Sequence, residues 1–172
     1  MAILDTKLYF GSGLDASNAA DASPVLIGDV IDLGSTSTYP FGGETMYFVV
    51  TCSLQIITGG TAGTISFSLY SGPEAAISTT PSLHVKSHDI LTDDATALTT
   101  ARTNLTFPCA LGNVTGGILV CAPLPAGPIY QRYLGAFRQV LTTTTTAGTV
   151  NAFLTKDPTY WRAYTDSDPG SV

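Results

Sequence analysis

Hydrophobic and polar residues alternate one by one along two stretches in the first half of the chain. The first runs from Met46 to Ile57 and the second from Thr64 to Tyr70. Alternation with a period of two is typical of β-strands that bury one face. The side chains predicted to face the core are Phe48, Val50, Cys52, Leu54 and Ile56 in the first strand and Ile65, Phe67 and Leu69 in the second.

The loop between these two strands is repeated later in the chain. Thr61-Ala-Gly-Thr64 is matched by Thr146-Ala-Gly-Thr149, and each copy follows a long strand pattern and a Thr-rich loop. Glycine-containing loops between alternating strands favour β-hairpins. The repeat therefore predicts two long hairpins, with loops at 58–63 and 142–148. Arg138 is predicted to lie on the outer side of the strand before the second loop.

Composition supports a fold made of strands. The 172 residues include 26 Thr and 14 Ser but only two Glu and three Lys. Thr suits strands, whereas Glu and Lys are common on helix surfaces. Two similar hairpins separated by shorter strands predict an all-β, antiparallel two-sheet sandwich of jelly-roll type. A galectin-like or immunoglobulin-like sandwich is the alternative.

The strand patterns also divide the chain into a sandwich and two arms. Residues 46–156 hold the regular alternation and form the predicted sandwich. Residues 1–45 have small residues and little hydrophobic bulk, and predict an extended N-terminal arm with one or two short edge strands. Residues 157–172 follow the last clear strand and predict a C-terminal arm.

Charge and hydrophobicity limit the partners. The net charge is −6 and the Lys and Arg residues do not cluster, so the sequence argues against nucleic acid, whose affinity comes from basic side chains. No apolar window is long enough to span a membrane, and Met1 to Phe10 does not resemble a signal peptide. We therefore expect a soluble protein, made in a cytoplasm, with no membrane or nucleic-acid partner.

Side chains that could carry chemistry are few and poorly spaced. His84 and His88 lie four apart and are interpreted as polar residues on a solvent-facing strand, because two histidines make too few ligands for zinc. Cys52, Cys109 and Cys121 lie among apolar neighbours and are interpreted as buried structural thiols. No nucleophile, phosphate-loop or calcium-loop motif is present. The sequence predicts a protein that is not an enzyme and uses no metal or cofactor.

Aromatic residues near strand ends and in the arms are predicted to be partly exposed, among them Phe41 and Tyr130. Interfaces are enriched in Tyr, Trp and Arg, so a protein interface is favoured over stacking on sugar rings. The residues predicted to anchor it are Tyr9, Phe10, Tyr160, Trp161, Arg162 and Tyr164.

Several short segments together carry a family resemblance. They are Leu4–Leu8 with Phe10, Val30–Gly34, Tyr47–Val50 with Thr58–Thr61, Leu124–Pro125 before Arg132–Leu134, and Thr146–Val150. The chain resembles the jelly-roll capsid cement proteins of tailed bacteriophages, the family first defined in a Bordetella phage. The resemblance implies a non-enzymatic virion protein, assembled in the bacterial cytoplasm. On the outer capsid surface it would fasten neighbouring capsomers of the major capsid protein.

Self-association is also expected, because exposed sheet edges and aromatics are normally covered by a partner. A protein that binds across a symmetry axis of the capsid must share the symmetry of that axis. We therefore expect a homodimer, with a homotrimer as the alternative. Two other functions stay open at this point. One is a carbohydrate-binding or fibre-type module for host attachment, and the other is a small hydrolase, for which no triad or metal set was found.

Overall fold

The computed structural model describes residues 8–20, 23–35, 41, 43–61, 63–94 and 117–158. Within these ranges the chain forms ten strands, and none of the described residues belongs to an apolar helix long enough to cross a membrane. The strands are β1 (Tyr9–Asp15), β2 (Val25–Asp32), β3 (Tyr47–Thr58), β4 (Thr64–Gly72), β5 (Ser82–Lys86), β6 (Ile90–Leu91), β7 (Asp93–Asp94), β8 (Ile118–Pro123), β9 (Tyr133–Val140) and β10 (Thr145–Thr155).

The strands form two sheets that face each other across one hydrophobic core. Sheet A has the order β1-β10-β3, with β7 and β8 along the far side of β3. Sheet B has the order β2-β9-β4, with β5 and β6 along the far side of β4. Every pairing is antiparallel except that of β3 with β7. The predicted all-β sandwich of two antiparallel sheets is confirmed.

The two predicted hairpins are wrong. β3 and β4 lie in different sheets, and so do β9 and β10, so the loop after each long strand crosses from one sheet to the other. β3 pairs instead with β10, and β4 pairs with β9. Alternation shows which side of a strand faces the core, but the same core lies between the two sheets. The pattern therefore looks the same for a hairpin and for a crossing loop.

Pairing in the sandwich is nested along the sequence. The first strand pairs with the last (β1 with β10), the second with the ninth (β2 with β9), β3 with β8, and β4 with β5. The central pairs β3–β10 and β4–β9 join these neighbours into sheets. The two halves that share the Thr-Ala-Gly-Thr repeat are thus neighbours in both sheets.

The predicted N-terminal arm is only partly an arm. β1 and β2 are edge strands, as expected, but they bury Phe10 and Ile27 in the core between the sheets. The two edges also approach each other, since a Cβ added at Gly28 would lie 2.3 Å from the carbonyl oxygen of Phe10. From Tyr9 onward this segment closes one side of the sandwich, because without it β9 and β10 would be open edges.

Irregular pairing changes the side on which some residues lie. Leu54 was predicted to face the core, yet it is 52% exposed. The register between β10 and β3 shifts on both sides of Leu54, and each extra residue reverses which face the following side chain takes. Ile56, beyond the second shift, is again fully buried.

Arg138 was predicted to face outward and faces inward instead. It is the cross-strand partner of Phe67, which is fully buried in the core, so the two side chains share the inner face of sheet B. Its guanidinium reaches the opposite sheet and donates to the backbone carbonyl of Asp15. Partial burial lowers the pKa of Arg138, while the nearby Asp15 raises it. Arg138 therefore links the two sheets near the edge formed by β1 and β2.

Candidate interaction surface

The two predicted anchors on β1 have different surroundings. Phe10 is fully buried and packs edge-on against Phe48, with ring centroids 6.1 Å apart. It stabilises the core and offers no surface to a partner, so its prediction as an interface anchor is corrected. Tyr9 points to the opposite side, is half-buried, and lies beside Phe153 at 6.4 Å. Neighbouring residues on a strand face opposite ways, and only Tyr9 can touch a partner.

The other four predicted anchors lie outside the described residues. They are Tyr160, Trp161, Arg162 and Tyr164, and their role at an interface stays a prediction. The C-terminal arm is described only as far as residue 158.

An apolar row crosses the outer face of sheet A. Tyr9 pairs with Phe153, Phe153 with Val49, and Val49 with Cys121. Val49 and Phe153 are buried although they point away from the core. Cys121, interpreted from the sequence as a buried thiol, is exposed on this outer face. Apolar residues that point outward and are nevertheless buried are unusual on a sheet face that contacts only water.

A second apolar area, which we call the sheet-B patch, lies on the outer face of sheet B. Leu83 pairs with Tyr70, and Tyr70 lies edge-on to Phe137 with ring centroids 5.0 Å apart. Phe137 pairs with Leu26, and Val30 lies one bulge further along β2. Leu83 is 50% exposed, whereas Phe137 is 8% exposed. The patch consists of Leu26, Val30, Tyr70, Leu83 and Phe137.

Sequence reasoning missed the sheet-B patch. Leu83 would face the core if the alternation of Leu83 and Val85 were regular. The register between β4 and β5 shifts at this point, so Val85 faces inward and Leu83 outward. The alternation of β4 itself gave one usable signal, since Tyr70 falls on the face opposite Ile65, Phe67 and Leu69.

The loop between β4 and β5 covers the centre of this outer face. Ile77 is 2% exposed and packs on Gly72 and Gly135. A Cβ added at either glycine would lie within 3.0 Å of an Ile77 atom. Its φ is +49°, which is rare for a β-branched residue. The Glu74 carboxylate holds the loop by accepting hydrogen bonds from the Ser78 hydroxyl and the Thr79 amide. This loop is thus a well-bonded part of the surface.

The predicted pairing of His84 and His88 on one solvent-facing strand is wrong. His88 lies beyond the end of β5 and is exposed. His84 is half-buried and stacks on Tyr130, with ring centroids 4.0 Å apart and planes 12° apart. Tyr130, predicted to be partly exposed, is fully buried and also lies edge-on to Phe41. Burial lowers the pKa of His84 to about 4.

No cluster of three or more His, Cys, Asp or Glu side chains that could hold a metal ion is found among the described residues. The expectation that the protein works without a metal or cofactor stays a prediction.

A charged pair borders the sheet-B patch. Arg132 donates through Nε and Nη2 to the two carboxylate oxygens of Asp32, at 3.0 and 2.8 Å, and lies 5.0 Å from the ring centre of Tyr133. The Gly34 amide also donates a hydrogen bond to Asp32. The hydrogen bond from Arg132 is the largest cause that lowers the pKa of Asp32, and the one from Gly34 is the next. Both side chains are about half exposed, with fractions of 50% and 43%.

Replacing Asp32 by asparagine should leave the free energy of unfolding almost unchanged. Water screens an exposed pair, and holding two long side chains together costs entropy that offsets the attraction. Urea unfolding at low and at high salt checks this. A large loss that high salt abolishes would contradict it and would give the pair a structural role.

The chain was compared with protein-family models and with curated proteins, and it matches none of either. The interpretation of the surface therefore depends on its geometry and on the resemblance described above.

Proposed function

We propose that this protein is a non-enzymatic cement protein of a tailed-phage capsid, bound to the outer surface of the major capsid protein shell. The observation that carries the proposal is the sheet-B patch, where Tyr70 and Leu83 present apolar surface on the side away from the core. Exposed apolar patches rimmed by polar residues are typical of surfaces that bind another protein, a membrane or a ligand.

The nested pairing supports the jelly-roll part of the proposal. A jelly roll is a double sheet built from Greek keys, in which strands distant in sequence become neighbours. In the sheets β1-β10-β3-β8 and β2-β9-β4-β5, strands distant in sequence are likewise neighbours, which supports a jelly roll. Jelly rolls occur in viral capsid proteins and also in lectins, so the fold alone does not choose the function.

The edges of the sheets favour contact through faces. β1, β2 and β5 each have a register shift in their pairing with the neighbouring strand. Bulges twist an edge away from a new strand and are a common defence against strand addition. We therefore expect the patch and the arms to make the contacts, with strand addition at these edges disfavoured.

Charge supports a place on the outside of the shell. The chain carries a net charge of −6, which disfavours contact with packaged DNA. Many modest contacts suffice on a shell, because simultaneous binding at two or more sites raises avidity by about 10²–10⁴. A homodimer, or else a homotrimer, would supply such sites, and light scattering of the purified protein measures which one forms.

Shell binding is the direct test. Purified protein is co-sedimented with shells assembled from the major capsid protein encoded in the same genome. We expect Leu83→Asp to weaken binding at least about tenfold, because it puts a charge into an apolar contact. Leu54→Asp is the matched control, since Leu54 is equally exposed on the other sheet, at 52% against 50%.

Three results decide the proposal. Loss of binding with Leu83→Asp alone supports it, and equal binding by the two variants means that the sheet-B patch is not the contact. If the wild-type protein binds no shells but binds glycans on an array, the alternative of a carbohydrate-binding module for host attachment replaces the cement function.

A further inference from the structure

One end of the sandwich is joined by three side chains from three separate segments. His84 of β5 stacks on Tyr130, and its Nε2 lies 2.7 Å from the Oγ of Ser71 in β4. The Ser71 hydroxyl also accepts a hydrogen bond from the backbone N–H of Gln131, at 3.0 Å. The Ser71 oxygen has a second lone pair, which accepts the imidazole hydrogen of His84. We assign Nε2 as the donor and leave Nδ1 of the neutral ring without a hydrogen.

A second proton on the other ring nitrogen, Nδ1, would have no acceptor. Nδ1 of His84 is buried and has no hydrogen-bond partner among the described residues. Protonation would place a hydrogen on Nδ1, which has no acceptor among the described residues, and a full charge against the buried ring of Tyr130. Burying a charge without a partner is costly, so the neutral ring is the one that fits.

The charged groups nearby do not compensate. Lys86, two residues along β5, bonds weakly to Gln139 at 3.5 Å, and Arg132 is paired with Asp32. The nearest titratable neighbour is Tyr130, whose hydroxyl donates to the carbonyl of Pro125 at 2.8 Å. No carboxylate among the described residues raises the pKa of His84 back toward its usual value, and burial is the cause that lowers it.

We propose that His84, Ser71 and Tyr130 form an acid-sensitive latch, closed while the imidazole is neutral and opened by its protonation. Opening would release β5 and the segment 125–131 together. Gln131 ties them, because its side-chain amide donates to the Thr80 carbonyl at 3.1 Å and to the Ser82 hydroxyl at 3.0 Å. The opening would also expose the contact between Tyr130 and Phe41.

The direction of the pH effect follows from the two protonation states. An open latch leaves His84 in water, with an ordinary pKa of 6.5, and the closed latch holds it near 4. The closed form is favoured in full above pH 6.5, and this preference is lost as the pH falls toward 4. At pH 5.0 most carboxylates, Glu74 of the neighbouring loop included, are still ionised, so a change between pH 7.5 and 5.0 belongs to a histidine, and the variants below separate His84 from His88.

Hydrogen–deuterium exchange of the full chain tests the latch at pH 7.5 and 5.0, after correction for the intrinsic pH dependence of exchange. We expect the amides of 82–86 and 126–131 to lose about tenfold in protection at pH 5.0. The amides of 47–52 and 150–154 should keep theirs. The double variant S71A/H84F keeps an aromatic ring on Tyr130 without a titratable group, and should lose the pH effect. His88→Gln should behave like the wild type.

Three outcomes would overturn the latch: the same pH effect in S71A/H84F, an equal loss of protection throughout both sheets, or no loss at all. If S71A/H84F does not fold, the ring protons of His84 are titrated by NMR in the wild type. A midpoint near pH 6.5 then rejects the latch, and one well below 6 supports it. None of these readouts depends on a capsid.

Discussion

Replacing Gly28 by alanine should destabilise the protein by about 3 kcal/mol. Gly28 has φ +72°, a left-handed conformation that costs other residues about 1 kcal/mol. Its added methyl would also lie 2.3 Å from the carbonyl oxygen of Phe10, a backbone atom that can move only with β1. Forcing the strands apart adds a further cost of about 1–3 kcal/mol. The change is measured as the free energy of unfolding in urea.

Gly34 provides the matched control. It also has a left-handed conformation, with φ +78°, but no atom lies within 4 Å of an added Cβ. Gly34→Ala should therefore cost about 1 kcal/mol, the conformational part alone. The difference in the free energy of unfolding between the two variants measures the cost of the close approach of β1 and β2. Equal losses would mean that these edges do not meet at Gly28.

The second large effect is expected at Tyr130. Tyr130→Ala should cost about 3–5 kcal/mol, as is usual for a large buried aromatic residue. The side chain is fully buried, and its removal breaks the stack on His84 and the contact with Phe41. Tyr130→Phe removes only the hydroxyl that donates to Pro125 and should cost about 1 kcal/mol.

Tyr133 is a suitable comparison for this prediction. It lies three residues away and is half-exposed, so Tyr133→Ala should cost about 1 kcal/mol or less. Thermal unfolding followed by circular dichroism ranks the three variants. A loss at Tyr130 no greater than that at Tyr133 would contradict the burial of Tyr130 at this end of the sandwich.

The sequence predicted the class of fold well because alternation reports burial directly. β3 and β4 were both recognised, and Phe48 and Phe67 face the core as expected. The partner of each strand could not be predicted in the same way. A strand with one buried face satisfies its pattern next to any neighbour, so the crossing loops after β3 and β9 were interpreted as hairpin turns.

Local register explains most of the remaining errors. Leu54 and Leu83 lie at shifts in strand pairing, and one extra residue turns a core position into a surface position. Phe10 was assigned to an arm because residues 1–45 as a whole have little hydrophobic bulk, whereas its neighbours in space come from β3 and β10. The sheet-B patch depends on the same distant pairings, so no short stretch of sequence contains it.

Nested pairing also has a consequence for how the chain acquires its structure. β10, the second strand of sheet A, pairs on one side with residues near the N-terminus and on the other with β3, about a hundred residues earlier. Contacts so distant in sequence make folding slow, because the entropy of closing long loops is lost before the contacts form. During synthesis, sheet A cannot be completed until residues 145–155 have left the ribosome. The edge of β3 that pairs with β10 therefore remains open to chaperones, or to aggregation, until that point.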